Sequence, residues 1–224
     1  MTAITAVTWQ NTVAVEGVTP VPREGIIGQV KTVAEDIGVD AVKIGMLGTV
    51  ETIDAVAEAL DLVGGVPVVL DPVMVAESGA SLLEEGGRSA LVERLLPRAT
   101  IVTPNLDEAR ALADGEQIDQ IARSIHSLGP RYVVITGGHG GDTDESIDVF
   151  WDGERLVEIP GPRYADGASH GSGCTHSSVL AAQLALGLEP LEAAREAKRI
   201  ASEAVRDGLR GIGAGSGPVN VLGL

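Results

Sequence analysis

Between residues 39 and 135 the chain repeats one pattern, a short β-prone apolar run followed by a longer stretch of helical periodicity. Residues 39–44 read as a strand and 49–62 as a helix, with Ile53, Val56, Ala57 and Leu60 on one face. The run 66–70 is apolar without a break and ends at Asp71-Pro72, as a buried parallel strand does. Residues 89–96 read as a helix stopping before Pro97. Residues 100–102 form a strand ending at Thr103-Pro104-Asn105, and helices follow over 106–112 and 118–128. A strand over 132–135 runs into Gly137-Gly138. Repeated strand–helix units specify an α/β fold, a doubly wound and mostly parallel sheet with helices on both faces.

The pattern then changes. Runs 146–151 and 155–159 flank Asp152-Gly153, a hairpin signal. Helices are expected over 172–187 and 191–209, with Leu180, Leu184 and Leu188 forming one stripe of the first. Residues 211–217 are glycine-rich and read as a surface loop or frayed tail. No repeat or linker interrupts the chain, so residues 1–224 read as a single domain. Aromatic residues make up only 2 %, so Val, Leu, Ile and Ala must fill the core.

Net charge is −16, which disfavours nucleic acid and anionic membranes as partners. The basic residues are mostly arginine; Lys31, Lys43 and Lys198 are the lysines. An acidic, lysine-poor surface suits high salt, where self-repulsion is screened. A lone cysteine excludes an intrachain disulfide, and neither a membrane span nor a signal peptide is evident. A cytoplasmic location is expected.

In open α/β sheets ligands bind beyond the carboxyl ends of the strands, which directs attention to four connections. Gly45-Met46-Leu47, Asp71-Pro72-Val73-Met74, Thr103-Pro104-Asn105 and Gly137-Gly138-His139 each follow an expected strand. A fifth segment, His170-Gly171-Ser172-Gly173-Cys174-Thr175, opens a helix. Its glycines let backbone N–H groups approach an anion, and the helix adds the positive end of its dipole. A loop that merely starts a helix is the plainer alternative.

Cys174 would have its thiolate stabilised at that helix start and could serve as a general base, or could be a small buried residue. Asn105 and Glu108 have the spacing of a helix capping box, and equally of a pair organising Mg²⁺ near nucleotide phosphates. Asp71 could hold Mg²⁺ or a substrate group, or cap its turn. Gly138 and His139 could admit nucleotide to the backbone or simply turn the chain. There is no Gly-x-x-x-x-Gly-Lys-Ser/Thr loop, which excludes a P-loop enzyme, and no Gly-x-Gly-x-x-Gly after a strand, which argues against a dinucleotide fold.

Taken in order, six segments resemble the hydroxymethylpyrimidine/phosphomethylpyrimidine kinases of thiamine biosynthesis, in the ribokinase-like superfamily. They are Thr8-Trp9-Gln10-Asn11-Thr12, Val42-Lys43-Ile44-Gly45-Met46-Leu47, Leu70-Asp71-Pro72-Val73-Met74-Val75-Ala76-Glu77-Ser78-Gly79, Ile101-Val102-Thr103-Pro104-Asn105-Leu106-Asp107-Glu108-Ala109, Gly137-Gly138-His139 and His170-Gly171-Ser172-Gly173-Cys174-Thr175. The resemblance implies ATP- and Mg²⁺-dependent phosphorylation of 4-amino-5-hydroxymethyl-2-methylpyrimidine and then of its monophosphate. It implies that Gln10 and Met46 contact the pyrimidine. The amides of Gly171, Ser172, Gly173 and Cys174 would hold the transferred phosphoryl group, with Cys174 as base. Asn105, Thr136, Gly138 and His139 would meet the nucleotide, and Glu108 and Asp71 the metal. Thr136 stands where the family often has lysine.

Family members usually carry a further strand, a Gly-Ser-Asp-Ser-Gly-type segment and a helix ahead of the part matching residues 5–12. The chain is therefore expected to lack the usual first strand–helix unit and one wall of the pyrimidine pocket. A homodimer is expected from the family habit. A pyridoxal kinase of the same branch, or a non-catalytic nucleotide- or pyrimidine-binding remnant, are the other readings of the same residues.

Overall fold

The computed structural model describes residues 1–75, 79, 82–137, 145–164 and 167–223. Its centre is a six-stranded sheet: β3 (Val42–Ile44), β4 (Val68–Leu70), β5 (Ile101–Val102), β6 (Tyr132–Ile135), β7 (Glu145–Trp151) and β8 (Leu156–Pro162). These lie side by side in chain order; β3 to β6 are parallel and the last two pairings antiparallel. A separate antiparallel pair, β1 (Ala6–Gln10) and β2 (Val15–Pro20), precedes α1 (Arg23–Asp36).

The unbroken apolar strands are explained by two cores. Leu70, Val102, Val133 and Ile135 face one cluster with Ile53, Leu91 and Ile121. Their neighbours Val69, Ile101 and Val134 face a second cluster with Phe150, Leu180 and Ala197. Successive side chains in a strand point to opposite faces, so a strand buried on both faces must be apolar at every position. The first face is covered by α2 (Val50–Ala59), α3 (Gly87–Arg94), α4 (Leu106–Leu112) and α5 (Ile118–Ser127). The second is covered by α6 (Ser172–Ala185) and α7 (Pro190–Arg206). Ala193, Ala194, Ala197, Ala201 and Ala204 are buried along α7, where small side chains let α7 seat closely on α6 and the sheet.

The expected fold class is present, with refinements at element ends. The first sheet strand begins at Val42 rather than at residue 39, where the Val42 N–H first donates to the Pro67 carbonyl. α3 begins at Gly87, and Pro97 does not follow the helix but sits in the first turn of a 3₁₀ segment, Leu96–Arg98. Proline is tolerated in a first turn because its missing N–H would have no partner there. The hairpin forms with a four-residue connection, since Trp151 pairs with Leu156. Its Asp152 carboxylate accepts the N–H groups of Glu154 (2.9 Å) and Arg155 (2.7 Å).

The glycine-rich tail is not frayed. The His170 N–H donates to Gly217 O (3.2 Å), Val219 N–H to His170 O (3.0 Å) and Leu209 N–H to Pro218 O (2.9 Å). The Gly215 N–H donates to Thr12 Oγ1 (3.2 Å), in the β1–β2 connection. Glycine is required there by close approach: a Cβ at Gly217 would lie 2.1 Å from the Leu209 carbonyl oxygen. Gly217→Ala should therefore displace the tail and destabilise the protein by about 1–3 kcal/mol. Denaturant unfolding measures the loss, and amide exchange at His170 and Val219 should speed up with it. Unchanged exchange would mean that the tail is not held by these bonds.

Candidate active site

Because β3 to β6 are parallel, their carboxyl ends share one edge, and the connections singled out in the sequence gather there. Residues 76–78, 80–81 and 138–144, with Gly138 and His139, lie outside the described residues.

α6 starts at Gly171, whose φ of 87° is the left-handed conformation that glycine adopts without strain. The Ser172 N–H is committed to Ser169 O (2.9 Å). Among the described residues no acceptor takes the N–H of Gly173 or Cys174. The expected four-amide cradle is thus centred on these two amides, and a side chain on Gly173 would face open space.

Two cavities adjoin α6, one at its first turn and one farther along it at Ser178 and Ala185. One, of about 440 Å³, is lined by Asn105, Thr136, Gly137, Ser172, Gly173 and Lys198, among others. Thr136 is joined to Asn105 by a β-bridge, and its N–H donates to Pro104 O (2.9 Å). The other, of about 880 Å³, is a groove along β3 that includes Gln10, Lys43, Gly45, Met46 and Ser178. Both volumes fall within about 300–1,000 Å³, the ordinary range for small-molecule sites. Gln10 and Met46 therefore share a cavity distinct from that of Asn105 and Thr136. The Thr5 hydroxyl donates to Met46 O (2.9 Å) and holds β1 against this groove.

Between the cavities lie two buried carboxylates. Asp71, at the end of β4, accepts at Oδ2 from the Ser177 hydroxyl (2.9 Å) and pairs there with Lys43 Nζ (3.3 Å). Glu108 completes a full capping box: its Oε2 accepts Asn105 N–H (2.9 Å), and Asn105 Oδ1 accepts Glu108 N–H (2.9 Å). Its Oε1 also accepts Met74 N–H (3.3 Å). Burial raises the Glu108 pKa above the ordinary carboxylate range, and the Asp71 and Asp107 charges push the same way against those two amides.

The capping role and a metal role are compatible, because a carboxylate has about four lone-pair sites. Mg²⁺ takes one or two carboxylates together with phosphates and water, so Glu108 facing Asp71 fits it without a larger protein cage. A cation would relieve the mutual repulsion that raises Glu108.

Cys174 departs from expectation. Its thiol is pushed up rather than down, first by loss of solvation and then by Asp71 and Glu108, with Lys43 opposing. The residue is exposed at the cleft surface, yet the recess around Sγ is crowded by protein and negative charge. The helix start does not by itself give a resting thiolate.

One cluster has no sequence signal. Asp148 on β7 is 1 % exposed and accepts at Oδ1 from Lys198 Nζ (2.8 Å) and Gly137 N–H (2.7 Å). His176 Nε2 lies 3.4 Å from Asp148 Oδ2, and neither ring nitrogen has a hydrogen-bond partner among the described residues. Burial works against the Asp148 charge, but His176, Lys198 and the Gly137 amide outweigh it and hold the carboxyl below its usual range. Asp148 thus ties β6, α6 and α7 together beside the smaller cavity. Lys43 was passed over in the same way. Each is a single residue whose partners are distant in sequence.

The family model described as phosphomethylpyrimidine kinase matches residues 1–220. The hydroxymethylpyrimidine/phosphomethylpyrimidine kinase of Bacillus subtilis is 40 % identical over 226 residues, covering 98 % of this chain and 83 % of that protein. The chain is 42 % identical to a chloroplastic thiamine biosynthetic bifunctional enzyme of Arabidopsis thaliana over 90 % of its length. It spans only 40 % of that relative, and 45 % of a bifunctional relative from Geobacter sulfurreducens. Among solved structures, pyridoxal kinase from Staphylococcus aureus in complex with AMP-PCP and pyridoxal superimposes with a TM-score of 0.86 and 34 % identity, over 98 % of this chain and 81 % of that one. Phosphomethylpyrimidine kinase from Clostridium difficile gives a TM-score of 0.77 and 34 % identity, over 92 % and 86 %.

The Asp148 cluster yields a stability prediction. A carboxyl whose pKa is lowered by folding stabilises the folded state above its unfolded value, near pH 3.9, and stops doing so as pH falls through the lowered folded value. Asp148→Asn should cost about 3 kcal/mol at pH 7, because it leaves a buried ammonium without its counter-charge. Denaturant unfolding of both proteins from pH 7 down to 3 should show the gap narrowing below about pH 4. A gap independent of pH would show that the carboxyl charge is not what the fold uses.

Proposed function

The chain belongs to the phosphomethylpyrimidine kinase family, and from that premise we propose that it transfers the γ-phosphoryl group of ATP to 4-amino-5-hydroxymethyl-2-methylpyrimidine and then to the monophosphate so formed. The observation that carries this reading is the start of α6. The Gly173 and Cys174 amides, which no acceptor takes among the described residues, open a helix whose first turn lines a cavity with Asn105 and Thr136 and whose Ser178 lines the groove that holds Gln10 and Met46. That arrangement suits a nucleotide on one side and a pyrimidine on the other, with the transferred group at the helix N-terminus.

In the first transfer the hydroxyl oxygen bonds to the γ-phosphorus. The bond to the β,γ-bridging oxygen breaks, ADP keeps the electron pair, and the hydroxyl proton passes to the thiolate form of Cys174. Backbone amides already aimed at the site stabilise the charge on the transferring group without reorganising, which is the main route to catalysis in such reactions. Mg²⁺ held at Glu108 and Asp71 would draw off phosphate charge. The capping box fixes the Glu108 carboxylate, which lies near enough to Asp71 to feel its charge. We further propose that the protein acts in the cytoplasm as one domain per chain and as a homodimer. The exposed Val7 and Trp9 on β1 would supply apolar contact area for the dimer.

A second reading rests on the pyridoxal kinase of Staphylococcus aureus, which superimposes well along nearly all of this chain. Coupled ADP-release assays with the pyrimidine alcohol and with pyridoxal distinguish the two. A higher kcat/KM for the pyrimidine is expected, and a preference for pyridoxal would reverse the assignment. Nucleotide binding by calorimetry without turnover of either alcohol would make the protein a binding remnant.

Removing the base while leaving the amides should be costly, because general base catalysis contributes about 10²–10⁴-fold. Cys174→Ala is expected to lower kcat for the alcohol by about 10²-fold or more. Because the Cys174 pKa is raised, its base form grows as pH rises. The parental kcat/KM should therefore climb through a limb above the ordinary cysteine value of about 8.5. Cys174→Asp should move that limb into the acid range; an unmoved limb would remove Cys174 from the role. Glu108→Gln should raise the Mg²⁺ concentration needed for half-maximal rate, and unchanged dependence would count against Glu108 as a ligand.

A further inference from the structure

The two substrates implied by the proposed function differ most in charge. The alcohol is neutral, whereas its monophosphate brings about −1.5 to −2 at pH 7. That charge must enter a site where Asp71 and Glu108 are already buried carboxylates. Among the residues lining the groove along β3, Lys43 is the one Lys or Arg. In the smaller cavity, Lys198 is committed to Asp148 (2.8 Å) and Ser146 (3.1 Å), and Arg163 donates through Nε to the Glu145 carbonyl (3.3 Å), away from the groove that holds Gln10 and Met46.

Lys43 is built into its position. It lies on β3 two residues before Gly45, and its ammonium lies across that glycine: a Cβ there would fall 2.6 Å from Lys43 Nζ. The ammonium pairs with Asp71 Oδ2 at 3.3 Å, longer than the roughly 2.7–2.9 Å of a tight charge-assisted bond. The same carboxylate oxygen lies within hydrogen-bond distance of the Ser177 hydroxyl, whose single proton can turn instead to the carbonyl of Gly173 (2.9 Å) or Cys174 (3.2 Å). One carboxylate therefore separates the ammonium from the first turn of α6. An ammonium has three donors, and among the described residues Asp71 is its single ion-pair partner. Lys43 also acts on Cys174 electrostatically, which places its charge within reach of the reacting end of the groove.

We propose that Lys43 is the residue that admits the phosphorylated substrate, holding its phosphate monoester beside Asp71 so that the second transfer, far more than the first, depends on this ammonium. The inference rests on the two-step kinase reading above. The chemistry of the two steps differs accordingly. In the second step an oxygen of the monoester forms the new bond to the γ-phosphorus, the β,γ-bridging bond breaks, and ADP leaves with the electron pair. The dianionic monoester has no proton to lose, so this step needs charge compensation more than a base. The alcohol needs the reverse.

The test measures kcat/KM for the pyrimidine alcohol and for its monophosphate in the parental protein, Lys43→Met and Lys43→Gln, with thermal melts confirming folding. In both variants the ratio of monophosphate to alcohol kcat/KM should fall at least tenfold, mainly through KM for the monophosphate. Cys174→Ala should move the ratio the other way. Calorimetric titration with each pyrimidine, without ATP, should show the Kd of the monophosphate weakened at least tenfold more than that of the alcohol. An unchanged ratio, or equal loss on both substrates, in a parental protein that turns over both would overturn the role of Lys43 and leave the kinase reading standing. A parental protein that turns over neither pyrimidine and does not bind the monophosphate would overturn both.

Discussion

A buried carboxylate has to be compensated, and Asp71 does this with residues from widely separated parts of the chain. Its Oδ2 gathers Lys43 from β3 and Ser177 from α6, the latter 106 residues away in sequence. Leaving such a group uncompensated in a low-dielectric interior costs several kcal/mol, so each partner is held as firmly as the carboxylate needs it. The consequence is positional. The end of β4, the edge strand and the second turn of α6 are fixed relative to one another, and the amides of Gly173 and Cys174, proposed to face the transferred group, are fixed with them.

The residue before Ser177 on the helix makes the corresponding contact on the other side. His176 faces Asp148, as Ser177 faces Asp71. Two adjacent residues of α6 thus meet two buried acids on different strands, one beside the groove and one beside the smaller cavity. Asp148 also takes Lys198 from α7 and the Gly137 amide at the end of β6. The helix start is held from both flanks, which suits phosphoryl transfer, where positioning and fixed dipoles supply most of the rate. Hydrophobic packing of Leu180 and Leu184 sets the distance of the helix from the sheet, and the two acids set its rotation and register.

How much of this was legible in the sequence follows from the range of each interaction. The segments over 106–112 and 132–135 are read to the residue, because apolar periodicity and capping are local. Asn105 and Glu108 are legible for the same reason, three residues apart. The Asp148, His176 and Lys198 cluster is not, since no spacing links residues brought together by three separate elements. Neither was Lys43, whose partner at position 71 belongs to the next strand. Residues 211–215 are an exposed loop, as one of the two readings has it, but that the segment is anchored rather than frayed is not legible, for a different physical reason. Glycine marks both conformational freedom and close backbone approach, and only the tertiary structure shows that Gly217 serves the second. The direction of the Cys174 shift is not legible because a helix dipole is a local signal, whereas the burial that chiefly raises the thiol, and the Asp71 and Glu108 charges that add to it, arrive through the fold.

The use of lysine in this acidic chain follows from the same constraints. Of the three lysines, Lys43 and Lys198 line the two cavities, while the surface ion pairs fall mostly to arginine. A compact ammonium on a flexible stem can be laid into a narrow recess, where a broad planar guanidinium needs more room. Each recess is cleared by a glycine. A Cβ at Gly45 would meet Lys43 Nζ at 2.6 Å, and one at Gly161 would meet Lys198 Cε at 2.7 Å. Each ammonium rests on one buried aspartate, so neither lysine charge is held in its recess without a counter-charge. A chain carrying −16 can then present local positive charge to phosphate where the chemistry needs it, while the rest of its surface stays acidic.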